Sequence, residues 1–381
     1  MRNGPTRIIA TLAAVGLLAA GCGDDDDTGD AGDAAATTAA GASDTTAATE
    51  ATAATDTTGG GETGTTAAGA GETFTIGYVV AGDRNDGGFY QGQVDAVESA
   101  AEELGLEVIV VDKVNPGAAQ EAFENLARQG PDLIIGGGSE LADGFIPTSQ
   151  SPEFADDITF LLVAGFPPDG DSYATVGANE NEAHFMGGVA TGLLLDRTGG
   201  SRGCVVAGPD LPFVRNMEAN MTAGLEHVAP DKEMSVTFTG DFEDAALATE
   251  ALEAQINQGC EVFYPYLGGA LPAAVEAATS AGIAVSATSV NLCDAGGFAM
   301  GILYNPALFL PTVIEAFSNG EIVEGEQFAL YGVGDAETLG LDDPNDGVGA
   351  VICDATPEEQ ATLDEVREMI AGGEIEVGAA A

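Results

Sequence analysis

From Thr73 onward, short apolar runs alternate with longer stretches whose apolar positions recur every three or four residues. "TFTIGYVV" (73–80) predicts a strand. "FYQGQVDAVESAAEELG" (89–105) predicts a helix with Val94, Val97, Ala101 and Leu104 on one stripe. "LEVIVVD", "PDLIIGGG", "ITFLLVAG" and "YATVGA" read as further strands, and "GAAQEAFENLARQG" as a helix between the first two. The pattern then restarts. Strands "SRGCVVAG", "MSVTFTG", "CEVFYPYLG" and "IAVSAT" alternate with helices "FVRNMEANMTAGLEHVA", "DAALATEALEAQINQG" and "PAAVEAATSAG". Apolar strands linked by helices suit parallel sheets covered on both faces, so the expected class is α/β with two doubly wound halves. The tail, from "ALFLPTVIEAFSNG" to "TPEEQATLDEVREMIAGGEI", supplies late elements that return to each half.

The first 73 residues lack this texture. Residues 23–73 are dominated by Ala, Thr, Gly and acid and hold no aromatic residue. Such a segment cannot bury enough apolar area to offset its ordering entropy, and is expected to be a disordered tether. Ahead of it, residues 1–22 place Arg2 and Arg7 before an apolar stretch that ends in small residues, the pattern of an export signal. Their end, "LLAAGC", resembles a bacterial lipobox, with Ala19 where Leu is commoner. It predicts lipidation at Cys22 and anchoring to the outer face of the cell membrane.

Charge narrows the function. With 62 acidic against 10 basic residues, the formal net charge is −52. A phosphate backbone or an anionic lipid surface is repelled by such a chain, which excludes nucleic-acid binding. The same excess is at home in a salty medium that screens self-repulsion. Export favours disulfides for the remaining cysteines, Cys204, Cys260, Cys293 and Cys353, which allow three connectivities. No CxxC pair occurs, and His184 and His227 have no ligand-like spacing, so neither a metal nor another cofactor is expected. His184, in "NEAHFMGG", reads as a packed residue. "DDPNDG" (342–347) lacks the spaced ligands of a calcium loop. The three carboxylates of "GDFEDAA" read as a helix start. No nucleophile–base set appears, so no enzyme is expected.

Binding remains. "GDRNDGGFYQGQ" (82–93) lies where a strand passes into a helix, the place at which ligands sit in α/β sheets. Gly87 and Gly88 let backbone approach a ligand, Asp86 offers a carboxylate, and Phe89 offers a ring for stacking. Phe89 and Tyr90 read equally well as the first buried turn of the helix.

That stretch also resembles the Gly…Asp-x-Ser-Phe-Asn-Gln segment of the basic membrane protein family, lipoprotein substrate-binding proteins of ABC importers. "AGPDLPFVRNMEANMTAGLEHVAPD", "FTGDFEDAALATEALEAQINQGCEVFYPYLGGAL" and "REMIAGGEIEVG" resemble later family segments in the same order, extending the likeness over 74–381. The resemblance implies a type I periplasmic-binding fold with two lobes, three hinge crossings near 178, 290 and 332, and a ligand in the cleft. It places 74–178 with 291–332 in the first lobe, and 179–290 with 333–381 in the second.

Nucleoside-binding members clamp a purine between two aromatic rings, which correspond to Phe89 and Phe242. Asp86, Gly268 and Gly269 also match and should line the cleft. Three positions depart. Tyr90 replaces an Asn, Thr288 falls where an Asp holds the ribose, and Tyr304 falls near a Lys. A charged acceptor contributes about 1.5–3 kcal/mol per hydrogen bond, so losing it weakens the ribose grip. Thr288 and Asn291 are the expected weaker partners, with Glu140 as the substitute carboxylate. The implied topology pairs Cys204 with Cys260 and Cys293 with Cys353. The implied protein is a monomeric, lipid-anchored, extracytoplasmic solute-binding protein that captures a purine nucleoside or similar ligand for an ABC permease. The alternatives are a sugar or signalling ligand, or a ligand-sensing partner of a membrane receptor kinase.

Overall fold

The computed structural model describes residues 73–86 and 88–378. The expected signal segment with Cys22, the tether up to residue 72, and Gly87 lie outside the described residues. In chain order the first half runs β1 (Thr75–Val79), α1 (Phe89–Leu104), β2 (Glu107–Val111), α2 (Ala119–Ala127), β3 (Leu133–Gly136), α3 (Ala142–Ser149), β4 (Thr159–Val163) and β5 (Ala174–Ala178). The second runs α4 (Glu180–Thr198), β6 (Arg202–Ala207), α5 (Pro212–Val228), β7 (Glu233–Phe238), α6 (Ala245–Asn257), β8 (Val262–Tyr266), α7 (Leu271–Ser280) and β9 (Ala284–Ser289). The tail supplies β10 (Met300–Leu303), α8 (Leu310–Ser318), β11 (Gln327–Tyr331), β12 (Gly349–Ile352) and α9 (Pro357–Ala371).

Two six-stranded sheets result, ordered β11-β5-β4-β3-β1-β2 and β12-β10-β9-β8-β6-β7. The first is parallel throughout, and in the second only β12 runs antiparallel. The β3 and β4 side chains are buried almost throughout, as strands covered on both faces require, whereas the edge strands β2 and β7 are only half-buried. Helix α1 buries Val94, Val97, Ala100 and Ala101. Leu104, expected on that stripe, is exposed because the helix ends there: Gly105 turns at φ 72° and returns its N–H to Ala101 and Glu102. Helix α4 has almost no polar face, since it packs on α5, β10, β12 and α9. It meets α5 through glycines. A Cβ on Gly188 would stand 2.0 Å from the Met221 carbonyl oxygen, and one on Gly224 1.9 Å from that of Phe185.

The tail does return to both halves. Strand β11 joins the first sheet and α8 packs on α1, while β12 and α9 complete the second lobe. One boundary differs from expectation. The stretch 291–303, assigned to the first lobe, carries β10, which pairs with β9 and β12 in the second sheet. The chain therefore crosses between lobes at about 179, 304 and 332 rather than at 178, 290 and 332. The reason is a β9–β10 connection that contains no α-helix and stays in one lobe.

Both expected disulfides form. Cys204 and Cys260 are bonded with their Cα atoms 5.6 Å apart, across the neighbouring strands β6 and β8. Cys293 and Cys353 are bonded at 5.2 Å.

Candidate functional site

All strands of the first sheet, and all but β12 of the second, end their carboxyl termini toward loops that a ligand can reach. In the first lobe those loops carry Asp86 after β1 and Gly138-Ser139-Glu140 after β3. In the second they carry Phe242-Glu243 after β7 and Gly268-Gly269 after β8. Two cavities lie among them. One of about 60 Å³ is lined by Phe89, Glu140, Glu180, Tyr304 and the small residues ending β4 and β5. The other, about 300 Å³, lies between the lobes, with Asp86 and Tyr90 on one side and Glu243, Gly269 and Pro272 on the other.

Of the expected residues, Phe89, Glu140 and Tyr304 line the first, and Asp86, Tyr90 and Gly269 the second. The Tyr90 hydroxyl donates to Glu140 Oε1 at 3.1 Å and so ties one cavity to the other. Asp86 is already engaged. Its carboxylate accepts the backbone N–H groups of Gly88, Tyr90 and Gln91 at 2.8, 3.1 and 3.0 Å, capping α1 and fixing where Phe89 points. Gly268 and Gly269 sit under the Glu243 carboxylate, where a Cβ on either would come within 2.4 Å of an oxygen. Phe242 rests on Gly208 and stacks on Phe213 at 6.4 Å with 14° between ring planes. Phe242, Gly268, Thr288 and Asn291 line neither cavity. The Thr288 hydroxyl donates to the Pro265 carbonyl at 2.6 Å, and the Asn291 amide donates to Asp346 at 3.3 Å beside the Cys293 disulfide. The weaker ribose grip expected of these two is therefore committed to the fold.

Several contributors were not foreseen. Rings run in contact from Phe89 through Tyr304, His184 and Tyr266 to Phe242, spanning both lobes. Phe89 and Phe242 stand at the two ends of this arc without touching. Behind it, burial lowers the His184 pKa to about 3, so the ring stays neutral. The ring is hydrogen-bonded to the Glu180 backbone, and its Nε2 shares a hydrogen bond with the Tyr264 hydroxyl at 3.2 Å. The Tyr264 and Tyr304 hydroxyls share a further hydrogen bond at 3.0 Å. Burial is also the first cause of the raised pKa of Tyr304, and the charge of Glu180 adds to it.

Glu140 and Glu180 both keep a side open to the water of the cleft. Protein atoms crowd them from the remaining directions. This loss of solvation raises the Glu140 pKa, against the opposing hydrogen bond from Tyr90. It raises Glu180 to about 7, with the Glu140 charge adding and a hydrogen bond from Tyr266 opposing. Glu180 follows the strand "YATVGA", and its place at a strand end is the one signal by which it was recognisable.

The hinge reads on this site directly. Asn305, fully buried, donates to the Phe89 carbonyl and to Ser289 Oγ, both at 3.2 Å, and accepts from the Ala307 amide at 2.9 Å. Ser289 holds a left-handed φ of 67° at the end of β9, and its carbonyl accepts the amides of Tyr304 and Asn305. The other two crossings are tied by Asn179 N–H to the Tyr331 carbonyl at 2.7 Å and Val333 N–H to the Glu182 carboxylate at 2.9 Å.

Residues 74–291 match the family model described as "ABC transporter substrate-binding protein PnrA-like". The chain belongs to that family. This PnrA-like protein is therefore the substrate-binding component of an ABC transporter, from a family that is extracytoplasmic, binds small molecules and catalyses no reaction. It is 27% identical over 321 residues, 81% of this chain and 79% of the other, to a Haloferax volcanii protein named for glucose binding in an ABC transporter. It is 24% identical over 147 residues to an ABC transporter nucleoside-binding protein of Lactococcus lactis, covering 39% of this chain and 40% of the other. Among solved structures, a solute-binding protein of an ABC transporter system from Aeropyrum pernix superposes with a TM-score of 0.65 at 19% identity, covering 81% of this chain and 94% of that one. One from Conexibacter woesei gives 0.62 at 19%, covering 81% and 99%. These likenesses establish the periplasmic-binding fold. Among the described residues of the PnrA-like chain, no helix is long and apolar enough to cross a membrane.

Proposed function

We propose that the protein is anchored by a lipid on Cys22 and captures a purine nucleoside, or a closely similar ring-bearing polyol, for delivery to its permease. The observation that carries the ligand assignment is the aromatic arc from Phe89 to Phe242, which has one aromatic ring from each lobe at its ends. Glu140 and Glu180 stand beside the Phe89 end as acceptors for sugar hydroxyls. A ligand that contacts both lobes favours the closed form, and the hinge bonds of Asn305 and Glu182 couple that closure to the site.

A sugar is the second reading. It is favoured by the Haloferax volcanii relative, which matches most of the chain, and by Thr288, whose hydroxyl is spent on Pro265.

Thermal unfolding against purine nucleosides, free bases and hexoses separates the two. Binding to the native state alone stabilises by about 2.7 kcal/mol at a hundredfold excess over Kd. A nucleoside shift that disappears in Phe89→Ala and Phe242→Ala supports the clamp. A shift with hexose alone replaces the first reading by the second. For the anchor, Cys22→Ala is expected to move the protein from the membrane fraction to the medium.

A further inference from the structure

Glu140 stands on the loop after β3 in the first lobe, and Glu180 opens α4, which packs in the second. Both face the cavity beside Phe89 and Tyr304, and every other residue lining it is uncharged. Their hydrogen-bond donors are tyrosines, Tyr90 on Glu140 and Tyr266 on Glu180, which supply no positive charge. Among the described residues every Lys and Arg is ion-paired to other carboxylates. His184, Tyr264 and Tyr304 pack around Glu180 and are neutral near pH 7. One small cavity thus already holds two carboxylates with no protein cation to offset them.

We propose that Glu140 and Glu180 act jointly as a charge filter: the cleft prefers a ligand that presents a protonated nitrogen to the gap, takes a neutral polyol less tightly, and rejects an anion. This rests on the ligand reading above, in which a nucleoside or sugar lies against Phe89. A protonated amine between the two carboxylates lets both stay ionised, and the neighbouring ring faces attract it further. A neutral ligand leaves the repulsion in place unless Glu180 takes up a proton. A phosphate, carrying up to two negative charges near pH 7, adds to the repulsion and gains no partner.

Matched series test the ranking by calorimetric titration near pH 7: adenosine, 5′-amino-5′-deoxyadenosine and adenosine 5′-monophosphate, and glucose, glucosamine and glucose 6-phosphate. The amine should bind about tenfold tighter than its neutral parent, the size of one charge-assisted hydrogen bond, and the phosphate should not bind. Glu180→Gln should remove most of the amine preference, so that the amine and its neutral parent then bind with nearly equal affinity. A phosphate that binds as well as its parent, or a ranking unchanged in Glu180→Gln, overturns the filter.

If neither series binds, the ligand reading fails, and the filter is judged on the unliganded protein. A carboxyl raised from 4.5 to about 7 contributes stability below its unfolded pKa and loses it as pH rises to 7. The melting temperature of Glu180→Gln should therefore gain on that of the native protein across this window. A gain that is not reduced in a Glu140→Gln background overturns the filter without any ligand, because it then owes nothing to the pair.

Discussion

The two disulfides allow a prediction in which chain entropy and packing can be told apart. They close segments of nearly equal length, with separations of 56 and 60 residues. On the loop-closure model, a crosslink over such a segment removes about 14 cal/mol/K from the unfolded chain, or about 4 kcal/mol at 25 °C for either bridge. Loop length therefore does not distinguish them, but their surroundings do. Cys204 and Cys260 are 1% and 3% exposed and pack with Ala248, Leu252 and Phe263, whereas Cys293 and Cys353 are half-buried. Replacing the buried pair by alanine also deletes two packed sulfur atoms, which adds about 1–2 kcal/mol by the usual large-to-small penalty. The double variant Cys204→Ala/Cys260→Ala should lose about 5–6 kcal/mol, and Cys293→Ala/Cys353→Ala about 4 kcal/mol. Urea unfolding followed by circular dichroism, at one fixed salt concentration, measures both. A half-buried bridge that costs as much as the buried one would refute the packing contribution. Losses under about 1 kcal/mol for both would refute the entropic one.

Three further outcomes follow from particular contacts. A Cβ on Gly138 would stand 2.3 Å from a Glu140 carboxylate oxygen on backbone that any residue adopts, so Gly138→Ala should swing Glu140 off Tyr90. Ligand affinity, read by calorimetry, should then fall while unfolding free energy changes by less than about 1 kcal/mol. Arg197, followed by the Thr356 cap, lowers the Glu359 pKa to about 2, so its stabilisation is present above 4.5 and is lost as pH falls toward 2. Glu359→Gln should flatten that acid limb of a melting curve taken against pH. Finally, because every described cation is paired while the chain carries a net −52, melting temperature should rise steadily as sodium chloride is added. A salt-independent curve would count against self-repulsion as a significant term.

The sheets were legible because alternation of apolar strands with 3.6-period helices is a local property, and the restart after "YATVGA" marks the second lobe. Strand β10 was not, since nothing local in "AMGILY" says which sheet it joins. Its assignment depends on pairing with β9 and with β12, some fifty residues further on. The same division holds in the site. Phe89 stood out by residue type and position, and Phe242 only through the family resemblance. That Thr288 is engaged by Pro265 was not, because it follows from the contact of two strands. Asp86 reads in sequence as a ligand contact and in three dimensions as the cap of α1. Glu180 gains meaning only through Glu140, forty residues earlier and in the other lobe.

The antiparallel strand β12 has a consequence for behaviour at high local concentration. It forms one edge of the second sheet and comes late in the chain, after the excursion through α8 and β11. A late edge strand is the element that neighbouring copies most readily trade, each donating its own to the other's sheet. Under the anchoring proposed above, copies held on one membrane surface would meet often enough for such exchange to matter. Here Cys353, just past the end of β12, is covalently held by Cys293 in the same lobe. The strand cannot leave without reduction of that bond, so each copy keeps its own edge and its own cleft.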